Sequence, residues 1–144
     1  MSYSIQEITT VLGISSSSLH PTRVAILLTD SRKLSAPAET LFFALTTENN
    51  DAHVYVAELY DACVRNFVVA KMRPEWDSDS DANFLKVKNT LVALQKVAAY
   101  HRSRFDIPVI GITGSNGKTV VKEWLYQLLG PDFNITRSPR SYNS

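Results

Sequence analysis

A glycine-rich segment, Gly111–Thr119, constrains the fold of this chain more than any other feature of its sequence. An apolar run, Val109–Ile112, leads into it, and a run with helical periodicity, Val120–Leu129, follows it. A glycine-rich turn between a buried strand and a helix is typical of loops that bind phosphate. Gly114 and Gly117 permit backbone angles and close approaches that a Cβ atom would obstruct. The segment therefore predicts a strand–loop–helix unit of an α/β protein.

The loop also carries the residue types that phosphate binding requires. The start of a helix offers backbone N–H groups and partial positive charge, here from about Ser115 to Thr119. Lys118 adds a full charge for the β and γ phosphates of a nucleotide, and the hydroxyl of Thr119 is placed to ligate Mg²⁺. The strict form of this loop has a glycine where this chain has Ile112, so the match is to a variant form. The alternative is an ordinary glycine-rich turn with an unrelated lysine.

The rest of the chain alternates between predicted helices and strands. A capping box, Ser4–Glu7, begins a helix that Gly13 can end. A second helix is predicted after Asp51 and includes Val56 to Val64. A third is predicted from Asn89, with an apolar stripe of Leu91, Leu94, Val97, Ala98 and Phe105. The predicted strands are Val24–Thr29, Leu41–Leu45, Phe67–Ala70, Phe84–Val87, Val109–Ile112 and Phe133–Thr136. Strands that alternate with helices indicate the α/β class.

Composition excludes several classes of protein. The 144 residues are 44% hydrophobic with a net charge of +1, which argues against binding nucleic acid through phosphate neutralisation. No apolar run approaches the roughly 20 residues of a membrane-spanning helix, and no signal peptide is visible. We therefore expect a cytoplasmic, globular protein with no membrane partner. The only cysteine, Cys63, is expected to be a small buried thiol on a helix.

The predicted elements divide the chain into three parts. Residues 1–81 form one α/β domain that ends in the acidic linker Asp77–Asp81, residues 82–106 form a connecting strand and helix, and residues 107–144 begin a second domain. A parallel sheet needs several strands, and only one candidate strand follows the loop helix. We therefore expect the second domain to be incomplete and the chain to be a fragment of a longer protein.

Several segments together identify a family resemblance. The loop Thr113–Thr119 resembles the ATP loop of the Mur ligases, the amide-forming ligases of peptidoglycan synthesis. Upstream, Asp30–Arg32, Leu41–Leu45 and Asp51–His53 are similar to the segments with which those ligases build the site for the UDP end of their substrate. The segment from Thr90 to Arg102 is similar to the helix that joins this domain to their ATPase domain.

The resemblance implies a set of roles for residues of this chain. ATP and Mg²⁺ would be the cofactors, bound by Gly114, Ser115, Asn116, Gly117, Lys118 and Thr119, with Lys118 catalytic and Thr119 the metal ligand. The UDP substrate would be bound by Ser31, Arg32, His53 and Asn143. On the residues alone, Ser31 and Arg32 could be ordinary turn residues, and Asp51 and His53 could simply begin a helix.

The resemblance also implies an activity and its partners. Ser115 and Lys122–Glu123 favour the family member that joins D-alanyl-D-alanine to UDP-N-acetylmuramoyl-tripeptide through an acyl phosphate. Arg137–Ser144 resembles the version that some bacteria fuse to an alanine racemase, so the remaining ligase domains and a racemase domain are expected in the same polypeptide. The isolated 144-residue chain is expected to show no turnover.

Three positions depart from the family pattern. Glu39, Thr47 and Ala52 stand where these ligases usually have glycine, which leaves the way UDP binds open. Two other functions stay open as well. One is another Mur-type or folate-type amide ligase that uses the same loop, and the other is a non-catalytic module that binds nucleotide sugars.

Overall fold

The fold was determined as a computed structural model that describes residues 1–15, 19–48, 50–76 and 81–138. The chain forms two compact units, Met1–Phe105 and Asp106–Ser144. The strands of the first unit are β1 (Tyr3–Ser4), β2 (Arg23–Val24), β3 (Ile26–Leu28), β4 (Thr40–Phe43), β5 (Thr46–Thr47), β6 (Asn50–Asp51), β7 (Asn66–Val69) and β8 (Asn83–Lys86). Its helices are α1 (Ile5–Leu12), α2 (Val56–Asp61) and α3 (Thr90–Ser103), and the second unit contains α4 (Lys118–Leu129).

A four-stranded parallel sheet in the order β3-β4-β7-β8 is the centre of the first unit. Phe67 in β7 lies opposite Phe42 in β4 and Phe84 in β8, which fixes the register of the three strands. All residues of β4 and β7 are buried, as expected for parallel strands that are covered on both faces. The predicted α/β class and the strands near positions 41, 67 and 84 are confirmed.

Helices cover both faces of this sheet. Successive residues of a strand point to opposite faces, so Leu41 and Phe43 belong to one layer of the core and Phe42 to the other. On the first face, α1 and α3 complete a cluster of Tyr3, Ile5, Ile8, Leu12, Val24, Leu41, Phe43, Val68, Leu85, Ala93 and Val97. On the second face, α2 and neighbouring loops complete a cluster of Leu28, Phe42, Ala44, Ala52, Val56, Leu59, Val64, Phe67, Val69, Trp76 and Ala82.

A buried polar network holds the starts of β7 and β8 against the chain before β2. Asn83 Nδ2 donates to Asn66 Oδ1 at 2.8 Å and to the His20 carbonyl at 3.0 Å. Thr22 Oγ1 donates to the same oxygen of Asn66 at 2.7 Å. Both asparagines are buried, and a buried amide that loses its partners costs about 1–3 kcal/mol. The network therefore stabilises the amino edge of the sheet, although no sequence pattern predicted it.

The first helix follows its sequence signals closely. The side chain of Ser4 accepts from the Glu7 amide, and Glu7 accepts from the Ser4 amide at 2.8 Å, which is the predicted capping box. The Ser4 amide and the Ser4 hydroxyl, the latter at 3.1 Å, both donate to the Glu7 carboxylate, and they hold its pKa below the usual value. Gly13 ends the helix in the left-handed conformation, with φ 70°.

The helix after Asp51 differs from its prediction. The chain first makes a 3-10 turn, Ala52–Tyr55, and α2 then ends at Asp61. Cys63 lies beyond that end with φ 68°, and its side chain is exposed. The prediction of a buried thiol on a helix was therefore wrong. Position 63 is the left-handed residue that terminates the helix, since the amide of Val64 turns back to the Leu59 carbonyl at 2.9 Å.

The buried face of α3 agrees with its prediction at Val97 and differs from it at Leu91. Thr90, Ala93 and Val97 are the buried residues of this helix, whereas Leu91 is 51% exposed. The small side chain of Ala93 lets the helix approach the sheet, and the branched Leu91 lies outside that contact. Leu91 was predicted to be buried because it is hydrophobic, but hydrophobicity alone does not determine which face of the helix contacts the sheet.

The second unit contains the predicted loop and helix but neither predicted strand. Among its described residues, 106–138, no strand is formed at Val109–Ile112 or at Phe133–Thr136. Val109 and Ile110 are 69% and 62% exposed. A strand needs a neighbour that pairs with its backbone N–H and C=O groups, and the described part of this unit supplies none.

Two sequence features fall mostly outside the described residues. Of the acidic linker, Asp77–Asp81, only Asp81 is described, and it is not simply solvated. It accepts from the Tyr60 hydroxyl at 2.5 Å and from Arg65 Nε at 2.8 Å. Asn143 lies outside the described residues.

Hydrogen exchange should distinguish the two units. We expect the amides of Ile26–Leu28 and Phe67–Val69 to exchange more slowly than those of Ile110–Ile112, because β3 and β7 are paired in the sheet and the apolar run of the second unit is not. Native-state exchange followed by mass spectrometry or NMR measures this directly. The opposite order would contradict the division into a stable first unit and a less stable second one.

Candidate functional site

The carboxyl ends of β3, β4 and β7 lie side by side at one edge of the sheet, since the three strands are parallel and adjacent. The segments that follow them bring Ser31 and Arg32, His53, and Lys71 to this edge. Ligands of open parallel sheets bind outside the carboxyl ends of the strands. Three of the four residues predicted to bind the UDP substrate, Ser31, Arg32 and His53, are thus placed at a single edge.

Ser31 and Arg32 form a short 3-10 turn directly after β3. Asp30 caps this turn by accepting from the Arg32 amide at 3.2 Å. The same carboxylate accepts from Arg32 Nε at 2.8 Å and from a terminal guanidinium nitrogen at 2.9 Å. These hydrogen bonds hold the pKa of Asp30 below its usual value and raise that of Arg32. Asp30 therefore orients the guanidinium of Arg32. Because 86% of the Arg32 side chain is exposed, the guanidinium is still accessible to an anion.

His53 is buried, with only 3% of its side chain exposed, and both ring nitrogens are occupied. Its Nδ1 lies 2.5 Å from Asp51 Oδ1. Its Nε2 accepts from the amides of Ala70 at 3.0 Å and Lys71 at 3.4 Å. Since Nε2 accepts, the proton of the neutral ring is on Nδ1 and is donated to Asp51. The ring therefore joins the loop after β4 to the loop after β7.

Asp51 connects the buried histidine to the exposed edge. One carboxylate oxygen accepts from His53, and the other accepts from Lys71 Nζ at 3.1 Å. The hydrogen bond from His53 is the main reason why the pKa of Asp51 lies well below its usual value. The Lys71 side chain is 69% exposed. Sequence reasoning missed Lys71, for which the only signal was a lysine directly after a buried strand.

The three positions that lack the family's glycines have ordinary backbones. Among the described residues other than glycine, only Cys63 has a positive φ. Glu39, Thr47 and Ala52 therefore adopt conformations open to any residue, and the first two are exposed. Ala52 is 4% exposed and its amide donates to the Leu45 carbonyl at 3.0 Å. The backbone is therefore not strained by the absence of glycine at these three positions.

The phosphate-loop residues lie in the second unit, at the start of α4. Gly114 and Gly117 have φ of 143° and 78°, which L side chains rarely adopt. A Cβ atom at Gly117 would meet no atom within 4 Å, so glycine is required there by conformation rather than by space. Lys118 is the first residue of the helix, and its Nζ donates to the Gly114 carbonyl at 2.6 Å. The lysine is thereby folded over its own loop, next to the exposed residues Ser115 and Asn116.

The following turns of α4 hold the chain near residue 137. Lys122 Nζ donates to the Ser138 carbonyl at 2.9 Å and pairs with Glu123. Arg137 pairs with Glu123, and its guanidinium lies 4.0 Å from the centre of the Tyr126 ring. These contacts hold Arg137 and Ser138 against α4.

Comparisons with known proteins show which proteins this chain is similar to. UDP-N-acetylmuramoyl-tripeptide–D-alanyl-D-alanine ligase of Synechocystis is 38% identical over 123 residues, 85% of this chain and 26% of that protein. The chain is a Mur ligase homologue. UDP-N-acetylmuramoyl-L-alanyl-D-glutamate–2,6-diaminopimelate ligase of Cytophaga hutchinsonii is 30% identical over 107 residues, which are 73% of this chain and 21% of that ligase. The chain therefore spans about a quarter of the length of these relatives.

The fold of this Mur ligase homologue is also found in a solved ligase structure. MurF from Acinetobacter baumannii superimposes with a TM-score of 0.77 and 29% identity, over 92% of this chain and 28% of that one. No protein-family model matches the chain. Among the residues that the structure describes, no helix is both long and apolar enough to cross a lipid bilayer.

Proposed function

We propose that this chain supplies the UDP-substrate site and the ATP loop of a ligase that joins D-alanyl-D-alanine to UDP-N-acetylmuramoyl-tripeptide. The observation that carries the proposal is the geometry of the loop. Two glycines with positive φ lead into a helix that begins with Lys118, as a cradle for nucleotide phosphates requires. The relative from Synechocystis, which bears this ligase name, agrees with the choice of member.

The loop residues fit ATP and Mg²⁺ by their chemistry. Backbone amides at the start of α4 and the Lys118 ammonium would hold the phosphates, and the Thr119 hydroxyl would ligate Mg²⁺. ATP would supply the phosphoryl group that activates the terminal carboxylate of the tripeptide. Lys118 would stabilise negative charge on the transferring group, which is the usual electrostatic contribution of such a residue.

The carboxyl edge of the first unit is proposed as the UDP site. Arg32 offers a charged, exposed guanidinium that Asp30 already orients, and Ser31 offers a hydroxyl in the same turn. His53 contributes indirectly, because its ring nitrogens are engaged by Asp51 and by the backbone after β7. Asn143 stays a predicted substrate contact, and the division at residues 81 and 106 and the fusion to an alanine racemase stay predictions too.

A ligase with a different amino substrate is the second candidate, favoured by the likeness to the diaminopimelate ligase of Cytophaga hutchinsonii. Phosphate release by the full-length ligase, this chain followed by the remaining domains, separates the two candidates. We expect release to require D-alanyl-D-alanine and UDP-N-acetylmuramoyl-tripeptide together. Release with diaminopimelate and the corresponding UDP-dipeptide would favour the second candidate. Binding of ATP and of the UDP substrate without any release of phosphate would indicate a non-catalytic module.

A further inference from the structure

Lys71 is a cation whose position at the carboxyl edge is fixed by a chain of contacts. Its Nζ donates to Asp51 Oδ2 at 3.1 Å, while the other oxygen of that carboxylate accepts from His53 at 2.5 Å. The hydroxyl of Thr46 also approaches Asp51, at 3.3 Å. An exposed lysine on an unconstrained loop would sample many rotamers, and these contacts restrict that freedom before any ligand arrives.

The backbone that carries Lys71 is held as well. His53 Nε2 accepts from the amides of Ala70 and Lys71, so the turn after β7 is anchored to a buried ring. His53 is 3% exposed, whereas the Lys71 side chain is 69% exposed. A buried anchor with an exposed cation at its end is the arrangement expected of a residue that is positioned for a ligand.

Arg32 and Lys71 approach the edge from the two sides of β4. Neighbouring strands lie about 4.8 Å apart, which places the ends of β3 and β7 about 10 Å apart, within the combined reach of two long side chains. Each cation retains donors. The guanidinium of Arg32 has five N–H groups, of which Asp30 engages two, and the ammonium of Lys71 has three, of which Asp51 engages one.

We propose that Lys71 is a second phosphate-binding residue, which acts with Arg32 on the diphosphate of the nucleotide substrate. The inference rests on the proposed function, since it assumes that the UDP end of the substrate binds at this edge. A diphosphate carries enough charge to engage two cations at once. Lys71 balances the charge of Asp51, and His53 holds that carboxylate by a hydrogen bond to its other oxygen, so its repulsion of the diphosphate is reduced.

Titration calorimetry of the whole chain with UDP tests the role of Lys71. We expect Lys71→Met to weaken UDP binding about 10-fold, the lower end of the range for a hydrogen bond to a charged group. Lys71→Arg, which keeps the charge, should retain affinity within about threefold, which is under 1 kcal/mol. Lys96→Met on α3 is the matched control, because it removes the same charge from an exposed helix position and should leave UDP binding unchanged. Thermal melts of all variants verify the fold.

The outcomes separate the two proposals. If Lys71→Met binds UDP like the wild type while Arg32→Met binds it weakly, the role of Lys71 is refuted and the UDP site stands. An equal loss in Lys71→Met and Lys71→Arg would assign the effect to local packing and also overturn the inference. If the wild type binds neither UDP nor UDP-N-acetylmuramoyl-tripeptide, both the inference and the proposed UDP site fail.

Discussion

Replacing Lys118 by alanine should weaken ATP binding to the full-length ligase roughly 10- to 150-fold. Lys118 is half-buried at the start of α4, and its ammonium donates to the Gly114 carbonyl. We expect it to turn from this carbonyl to the β and γ phosphates when ATP binds. A hydrogen bond to a charged group is worth about 1.5–3 kcal/mol, which gives this range of affinity. Turnover should fall as well, because Lys118 should stabilise the transition state of phosphoryl transfer more than it stabilises bound ATP.

Steady-state kinetics and ATP titration of Lys118→Ala measure both effects. Binding of the UDP substrate should stay nearly unchanged, since Ser31 and Arg32 belong to the first unit. Lys96→Ala, which removes an exposed lysine of α3, is the control for the loss of one positive charge. If Lys118→Ala kept its turnover, the loop would be a structural turn and the proposed ligase function would lose its main support.

The elements that were predicted correctly from the sequence are those whose signals are local. The capping box at Ser4 and the left-handed Gly13 depend on residues within one or two helical turns, so their geometry follows from the sequence. The predicted runs Leu41–Leu45 and Phe67–Ala70 are apolar at every position, which is typical of a parallel strand covered on both faces.

The predictions that failed depend on contacts between distant residues. Val109–Ile112 has the composition of a buried strand, but pairing decides whether a strand forms, and the described second unit offers no partner. Leu91 matches the helical period, yet it is 51% exposed, and α3 buries Ala93, which the prediction left out. Cys63 was placed on the helix because nothing in the sequence marks where α2 ends.

The candidate site was predicted in part for the same reason. Ser31, Arg32 and the phosphate loop could be singled out as candidates because each belongs to a contiguous motif. The path from His53 through Asp51 to Lys71 joins residues that are 18 and 20 positions apart in sequence, across two adjacent strands. The strand order had to be known before this path could be seen.

Replacing His53 by leucine should destabilise the first unit by about 2–4 kcal/mol. Leucine fills a similar volume but offers no nitrogen, so the amides of Ala70 and Lys71 lose their acceptor and Asp51 loses its donor. Each buried polar group left without a partner costs about 1–3 kcal/mol. The total cost for the three groups is lower than three times this value, because Asp51 is partly exposed and water can replace its lost donor.

Urea denaturation of His53→Leu and the wild type, followed by circular dichroism, measures this loss. His101→Leu is the matched control, because His101 is exposed and its Nδ1 has one described partner, the Tyr3 hydroxyl at 2.8 Å. That control should cost less than about 1 kcal/mol. UDP affinity should also fall in His53→Leu and stay unchanged in His101→Leu, since only the first releases the turn that carries Lys71. Equal stability of His53→Leu and the wild type would mean that the two loops are held together without the ring, and that Lys71 reaches its position by other contacts.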